Sequence, residues 1–199
     1  MKPSYLGDSY DIVKQSLLRW LGIMGTWATH PMFTEPVSPQ QADDFAHLIG
    51  TRLLSMDQLT DDTNRSTYLA PASECDEHVF LDPDTGIRLK PTLGKKSPFY
   101  IFGPELIEIV QARSNRLVMV FDQSLARGSE RQQLQKKLQA FSTQGIHSVA
   151  YVSHACFVVL GSDNSLIESA LRLIYDESRL PHSRFLKEVS QNQAFNSDC

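Results

Sequence analysis

In Val79-Phe80-Leu81-Asp82-Pro83-Asp84-Thr85-Gly86, VFLDPDTG, three apolar residues run straight into two acids, a proline and a glycine. A short unbroken apolar run closed by turn residues reads as a strand buried on both faces, the kind found in mostly parallel sheets. RLVMVFD (Arg116 to Asp122) repeats the pattern. Between such runs the apolar residues fall at helical spacing. From Asp8 to about Met24, the residues Ile12, Val13, Leu17, Trp20, Leu21 and Met24 recur in this way, with Asp8 or Ser9 as the cap. SPQQADDFAHLIGTRLL predicts a helix with Ser38 as cap, Pro39 in the first turn, and Ala42, Phe45, Leu48, Ile49 and Leu53 as its buried stripe. Gly103-Pro104 opens a helix through Arg113. GSERQQLQKKLQAFSTQG predicts another, capped by Ser129 and stopped by Gly145, and SDNSLIESALRLIYDES a last one. THPMFT (Thr29 to Thr34) is a weaker strand candidate, and residues 55–75 read as a surface loop. VAYVSH and ACFVVLG follow each other too closely for a parallel crossover, so they predict an antiparallel hairpin at the sheet edge. The expected architecture is a three-layer, Rossmann-like α/β domain over residues 1–190, with a polar tail from Gln191.

Length and composition agree with one soluble domain. The chain has 199 residues, 41% hydrophobic and 21% charged, with a net charge of −4. The pI near 5.8 excludes a strongly basic nucleic-acid footprint at whole-chain level. No apolar run approaches the length of a bilayer span, and the opening MKPSYLGDSYD lacks the apolar core of a signal peptide. Cys75, Cys156 and Cys199 have neither zinc-ligand nor disulfide-framework spacing, which points to reduced thiols and a cytosolic setting.

In open α/β sheets, ligands bind beyond the carboxyl ends of the strands. That rule singles out Asp82 and Asp84 after one strand, and Asp122, Gln123 and Ser124 after the next. Neighbouring strands lie about 4.8 Å apart. Asp82, Asp84 and Asp122 are therefore expected in one cleft, with Asp11 or Lys14 at its rim. Three such carboxylates suit magnesium, which activates water against a phosphate ester; Arg127 would then neutralise the phosphate. DPDTG is equally good turn chemistry, with Asp capping backbone groups and Gly supplying positive φ. Asp11 and Lys14, three apart, read either as an exposed ion pair or as a site in which Lys14 meets an anionic group. His154, in the hairpin link, reads as a general base or a turn histidine, while His30 and His78 read as structural. RQQLQKK with Arg127 and Arg131 reads as a solvated face or as a backbone contact to nucleic acid.

The α/β pattern ending in a hairpin, with an acid-proline motif after a central strand, resembles the S-adenosylmethionine-dependent methyltransferase fold. GDSYDIVKQSLLRWL is similar to the G-N-H-x-D-x-x-K-H opening of the ribosomal RNA adenine-N6 methyltransferases that act on the large subunit. Gly7, Asp11 and Lys14 stand at matching positions, and Ser9 and Gln15 replace the histidines. The whole chain also resembles a bacterial family with a G-D-x-x-D-x-x-K opening and an L-D-P-D-x-G centre, which brings no established activity. The methyltransferase resemblance implies S-adenosylmethionine as cofactor, held with help from Gly7, Asp11 and Lys14. It implies that Asp82 carries the target amine, with Asp84 secondary; taken with the readings above, the expected catalytic residues are Asp82, Asp84 and Asp122, and the expected substrate contacts Arg127 and His154. Nucleic acid is the implied substrate. Two departures stand against this: HPMFTEPVSPQ has no glycine where a cofactor loop is expected, and Asp82-Pro83-Asp84-Thr85 lacks the aromatic residue of D/N-P-P-aromatic. Three readings follow in order: a methyltransferase-like enzyme, a metal-dependent phosphodiesterase or nuclease, and a noncatalytic interaction protein on an enzyme scaffold.

Overall fold

The computed structural model describes residues 1–187. Chain order runs α1 (Ser9–Leu21), β1 (Trp27–His30), α2 (Pro39–Ile49), β2 (Arg52–Leu53), α3 (Arg65–Glu74), β3 (His78–Leu81), β4 (Gly86–Arg88), β5 (Tyr100–Phe102) and α4 (Gly103–Gln111). It continues through β6 (Val118–Phe121), α5 (Glu130–Ser142), β7 (His147–Tyr151), β8 (Phe157–Gly161), α6 (Asn164–Ser178) and β9 (Phe185–Lys187). Seven strands form one sheet in the order β2-β1-β3-β6-β8-β7-β9. β2, β1, β3 and β6 are mutually parallel, while β8 pairs antiparallel with both β6 and β7. The fold is thus the expected Rossmann-like α/β fold with an antiparallel hairpin towards one side. A short strand beyond the hairpin, β9, completes that edge by pairing antiparallel with β7. β4 and β5 form a separate parallel pair.

The strand runs are apolar throughout because each face of the sheet has its own core. Val79, Leu81, Val118 and Val120 pack with Leu69 of α3, Leu106 of α4 and Leu138 of α5. Phe80, Met119 and Phe121 pack with Leu17 of α1, Phe45 of α2 and Leu171 of α6. Successive side chains on a strand alternate faces, so the next residue after each run is assigned a side by parity.

Helix ends follow local chemistry, with some differences from the expected bounds. Asp8 caps α1, accepting from the N–H groups of Tyr10 (2.8 Å) and Asp11 (3.1 Å). Ser38 and Gln41 make a reciprocal capping box on α2. Gly50 takes up the left-handed conformation (φ 76°) and ends that helix, so Leu53 belongs to β2 rather than to a helical stripe. Residues 55–75 are not all loop: Asn64 caps α3, which buries Tyr68, Leu69 and Ala72 despite an internal Pro71. The first strand begins at Trp27, two residues before THPMFT, and stops at His30, four residues short of its end. Ser129 does not cap α5; its hydroxyl donates to the carbonyl of Ala126 instead. The tail from Gln191 lies outside the described residues. Among the described residues, no helix is long and apolar enough to cross a membrane.

Candidate functional site

A cleft of about 320 Å³ opens at the carboxyl end of β3. Its floor is a buried charge cluster. The ammonium of Lys14, on α1, donates to Asp11 Oδ1 and Asp82 Oδ2, each at 2.9 Å. Asp11 Oδ2 accepts from the Gly7 N–H at 2.8 Å, and Gly7 reaches this place with a positive φ of 85°. Asp11, Lys14 and Asp82 are only 2%, 4% and 1% exposed. The Asp11–Lys14 spacing, also compatible with a surface pair, here places both residues on the inward face of α1. Two carboxylates share one ammonium. Burial favours its neutral form, but the charges of Asp82 and Asp11 outweigh burial and raise the Lys14 pKa. Burial likewise raises the Asp82 carboxyl, against the pull of Lys14.

Asp82 Oδ1 has no hydrogen-bond partner. Leaving a buried acceptor unpaired costs about 1–3 kcal/mol. Three other buried side-chain atoms among the described residues are in this state (His30 Nδ1, Arg113 Nε and Ser148 Oγ), and none belongs to a residue lining the cleft.

Aromatic side chains form much of the wall. Tyr5, Tyr10 and Phe121 line the cleft with Pro83, Asp84 and Gln123. Tyr10 meets Phe121 edge to face, with centroids 5.6 Å apart, and Lys14 Nζ lies 4.6 Å from the Phe121 centroid. The Asp82–Thr85 tetrapeptide has no aromatic residue of its own, and the rings beside it come from β6 (Phe121) and α1 (Tyr10). His154 stands at this rim, its ring 5.6 Å from that of Tyr10 and its carbonyl accepting from Gln123 Nε2 at 2.7 Å. Ser153 does not pair with it: the Ser153 hydroxyl donates to the carbonyl of Ala155.

Asp122 is not part of this cleft, which corrects the expectation of one three-carboxylate site. Leu81 pairs with Val120, so Phe121 lies beside Asp82, and Asp122 falls on the opposite face of the sheet. There it accepts from the N–H groups of Ile87 (3.0 Å) and Ser124 (3.1 Å), from the Ser124 hydroxyl (2.7 Å) and from Lys137 Nζ (2.5 Å). Gly86 explains the glycine of DPDTG. A Cβ there would lie 2.2 Å from Asp122 Oδ1, and its φ is 134°. Among the described residues, no group of three His, Cys, Asp or Glu side chains is placed to hold a metal ion. Arg127 is exposed in the turn before α5 and does not line the cleft. Arg131, in the same basic stretch, donates to the Ser183 carbonyl at 2.7 Å.

His30 and His78 are structural, as expected. His30 Nε2 meets the Tyr68 carbonyl at 2.9 Å, and burial pushes the ring down to about 4. His78 Nδ1 accepts from the Leu117 N–H at 2.9 Å. Cys156 packs in the core.

At the place the resemblance implies for S-adenosylmethionine, the usual glycine-rich cradle is absent. No glycine lies between His30 and Pro39, and Pro31, Met32 and Phe33 are buried. The carbonyls of Pro31 (3.3 Å) and Met32 (2.8 Å) already accept from the Met1 amino group. Gln123, which the strand-end rule singled out, does line the cleft, whereas Tyr5, Tyr10 and Phe121 were not singled out in sequence. The signal for Phe121 was its parity with Asp82, which is readable only once the register of the two strands is known. No family model, no curated protein and no solved structure matches this chain.

Proposed function

We propose that this protein recognises a planar, amine-bearing group, a nucleobase in chemical class, in the cleft at the carboxyl end of β3. The observation that carries this reading is Asp82 Oδ1, a buried acceptor without a donor at a cleft walled by Tyr5, Tyr10 and Phe121. An exocyclic amine supplies the missing donor, and the rings supply stacking area. Lys14 holds the other Asp82 oxygen and so keeps the acceptor oriented. The protein thus acts as a binding protein on a methyltransferase-like scaffold, in the cytosolic setting expected from its cysteines.

The test is calorimetry with matched nucleosides. Adenosine and cytidine carry the amine; inosine and uridine replace it with a carbonyl. The amine-bearing pair is expected to bind more tightly by about tenfold or more, because a carbonyl leaves Asp82 facing another acceptor. Asp82→Asn turns the acceptor into an amide and should remove the preference. Equal affinity for both pairs, or no heat from any of the four at millimolar concentration, sinks the proposal.

The antiparallel hairpin on which the methyltransferase resemblance rests favours a second reading, methyl transfer to that same amine. Heat from S-adenosylmethionine that survives Asp82→Asn but is lost in Lys14→Ala would select it.

A further inference from the structure

A second opening, of about 280 Å³, lies on the other side of the β3 and β6 tips, between β4 and α5. Arg88, Tyr100, Ser124, Gln133, Lys136 and Lys137 line it, and no carboxylate does. We propose that this groove is a phosphate-binding site, separate from the Asp82 cleft.

Lys137 is the built part of the site. It is 8% exposed, and its ammonium donates to Asp122 Oδ2 (2.5 Å) and Ser124 Oγ (2.8 Å). An ammonium has three donors, so one N–H remains for a ligand. Arg88 lies over the Tyr100 ring, its Cζ 4.8 Å from the centroid, and Nη1 donates to Thr92 Oγ1 at 3.2 Å. The rest of its fork is uncommitted, and a guanidinium fork matches the oxygens of a phosphate. Lys136 is exposed beside it.

The surrounding chain has the same sign. From Thr85 to Pro104 there is no Asp or Glu, while Arg88, Lys90, Lys95 and Lys96 are present, in a chain of net charge −4. Asp122 lies beneath the groove and already balances Lys137. Arg88 and Lys136 therefore have no carboxylate facing them from the groove lining. A phosphate group supplies the missing anion, either as a small phosphate ester or as part of a nucleic-acid backbone.

Inorganic phosphate is titrated into the full chain and followed by amide chemical shifts. A labelled single-stranded oligonucleotide is followed by anisotropy at several salt concentrations. The double variant Arg88→Ala/Lys136→Ala alters exposed side chains and leaves the Asp122–Lys137 pair intact. Phosphate should shift the amides around Ser124 and Lys137, and the double variant should weaken it by about tenfold or more. Adenosine binding should be the same in both proteins, which keeps this test separate from the Asp82 reading. If phosphate competes with the oligonucleotide, and the double variant lowers the salt dependence by about two contacts, the phosphate is a backbone one. If phosphate binds but the double variant leaves oligonucleotide affinity unchanged, the source is a small ester. The proposal fails if millimolar phosphate moves no amide, or if the double variant binds phosphate as tightly as the original chain.

Discussion

Asp82 and Asp122 leave adjacent strands at the same end of the sheet, and each pairs with a lysine from a covering helix, Lys14 or Lys137. Their surroundings differ in one respect. Both oxygens of Asp122 are occupied, by two backbone N–H groups, a hydroxyl and an ammonium. One oxygen of Asp82 is occupied and the other is not. A fully satisfied buried polar cluster fixes a fold; a partly satisfied one beside open space offers a binding function. Asp122 ties β4 to β6, and Asp82, at the lining of a cleft, keeps one buried oxygen unpaired.

The contrast can be broken most forcefully at Gly86. Gly86→Ala drives a methyl into Asp122 Oδ1 at 2.2 Å and into the Asp122 Cα at 2.8 Å, at a φ that side chains avoid. A loss of about 4 kcal/mol or more is expected, read by denaturant unfolding; a loss under about 1 kcal/mol would mean that the β4 turn yields easily. Asp122→Ala comes next. It leaves the buried Lys137 without its counter-charge, for an expected loss of about 3–5 kcal/mol. Asp82→Ala should cost less, about 1–3 kcal/mol, because Lys14 keeps Asp11 and an unpaired oxygen is removed. If unfolding curves reverse this order, Asp82 is the structural residue of the two.

Smaller effects appear with pH. Burial holds His30 down from 6.5 to about 4, so between those values the unfolded chain takes up a proton that the folded chain refuses. His30 therefore contributes full stability above 6.5, and its contribution falls as pH drops toward 4. His30→Leu should flatten that part of the stability profile in thermal melts across this range. The Asp82 carboxyl is raised by burial, and its protonated form offers a donor where the amine needs an acceptor. Adenosine affinity should therefore decline as pH falls through that raised value, and the decline should vanish in Asp82→Asn.

Much of this was legible in the chain. VFLD and RLVMVFD announced buried strands, and the short link at SHA announced the hairpin. SPQQ and GDSYD supplied the caps of α2 and α1. The helix in residues 65–74 was not legible, because Pro71 interrupts it and its apolar side chains are few; it forms by burying Tyr68 and Leu69 against the sheet. β9 was hidden for a similar reason: three residues make a strand only when β7 is there to pair with.

The sequence by itself determined that Asp82 and Asp84 follow one central strand and that Asp122 ends another. It also placed Asp11 and Lys14 one helical turn apart on α1. Only the tertiary structure decided which of these residues meet. Apolar runs buried on both faces carry no alternation, so nothing in VFLD or VMVFD says which way the terminal acid points. The pairing of Leu81 with Val120 sets that parity: it turns Asp82 toward Lys14 and the aromatic cleft, and Asp122 toward Lys137. The chemistry of each aspartate is local, but its partner is fixed by strand register, and strand register is a property of the whole sheet.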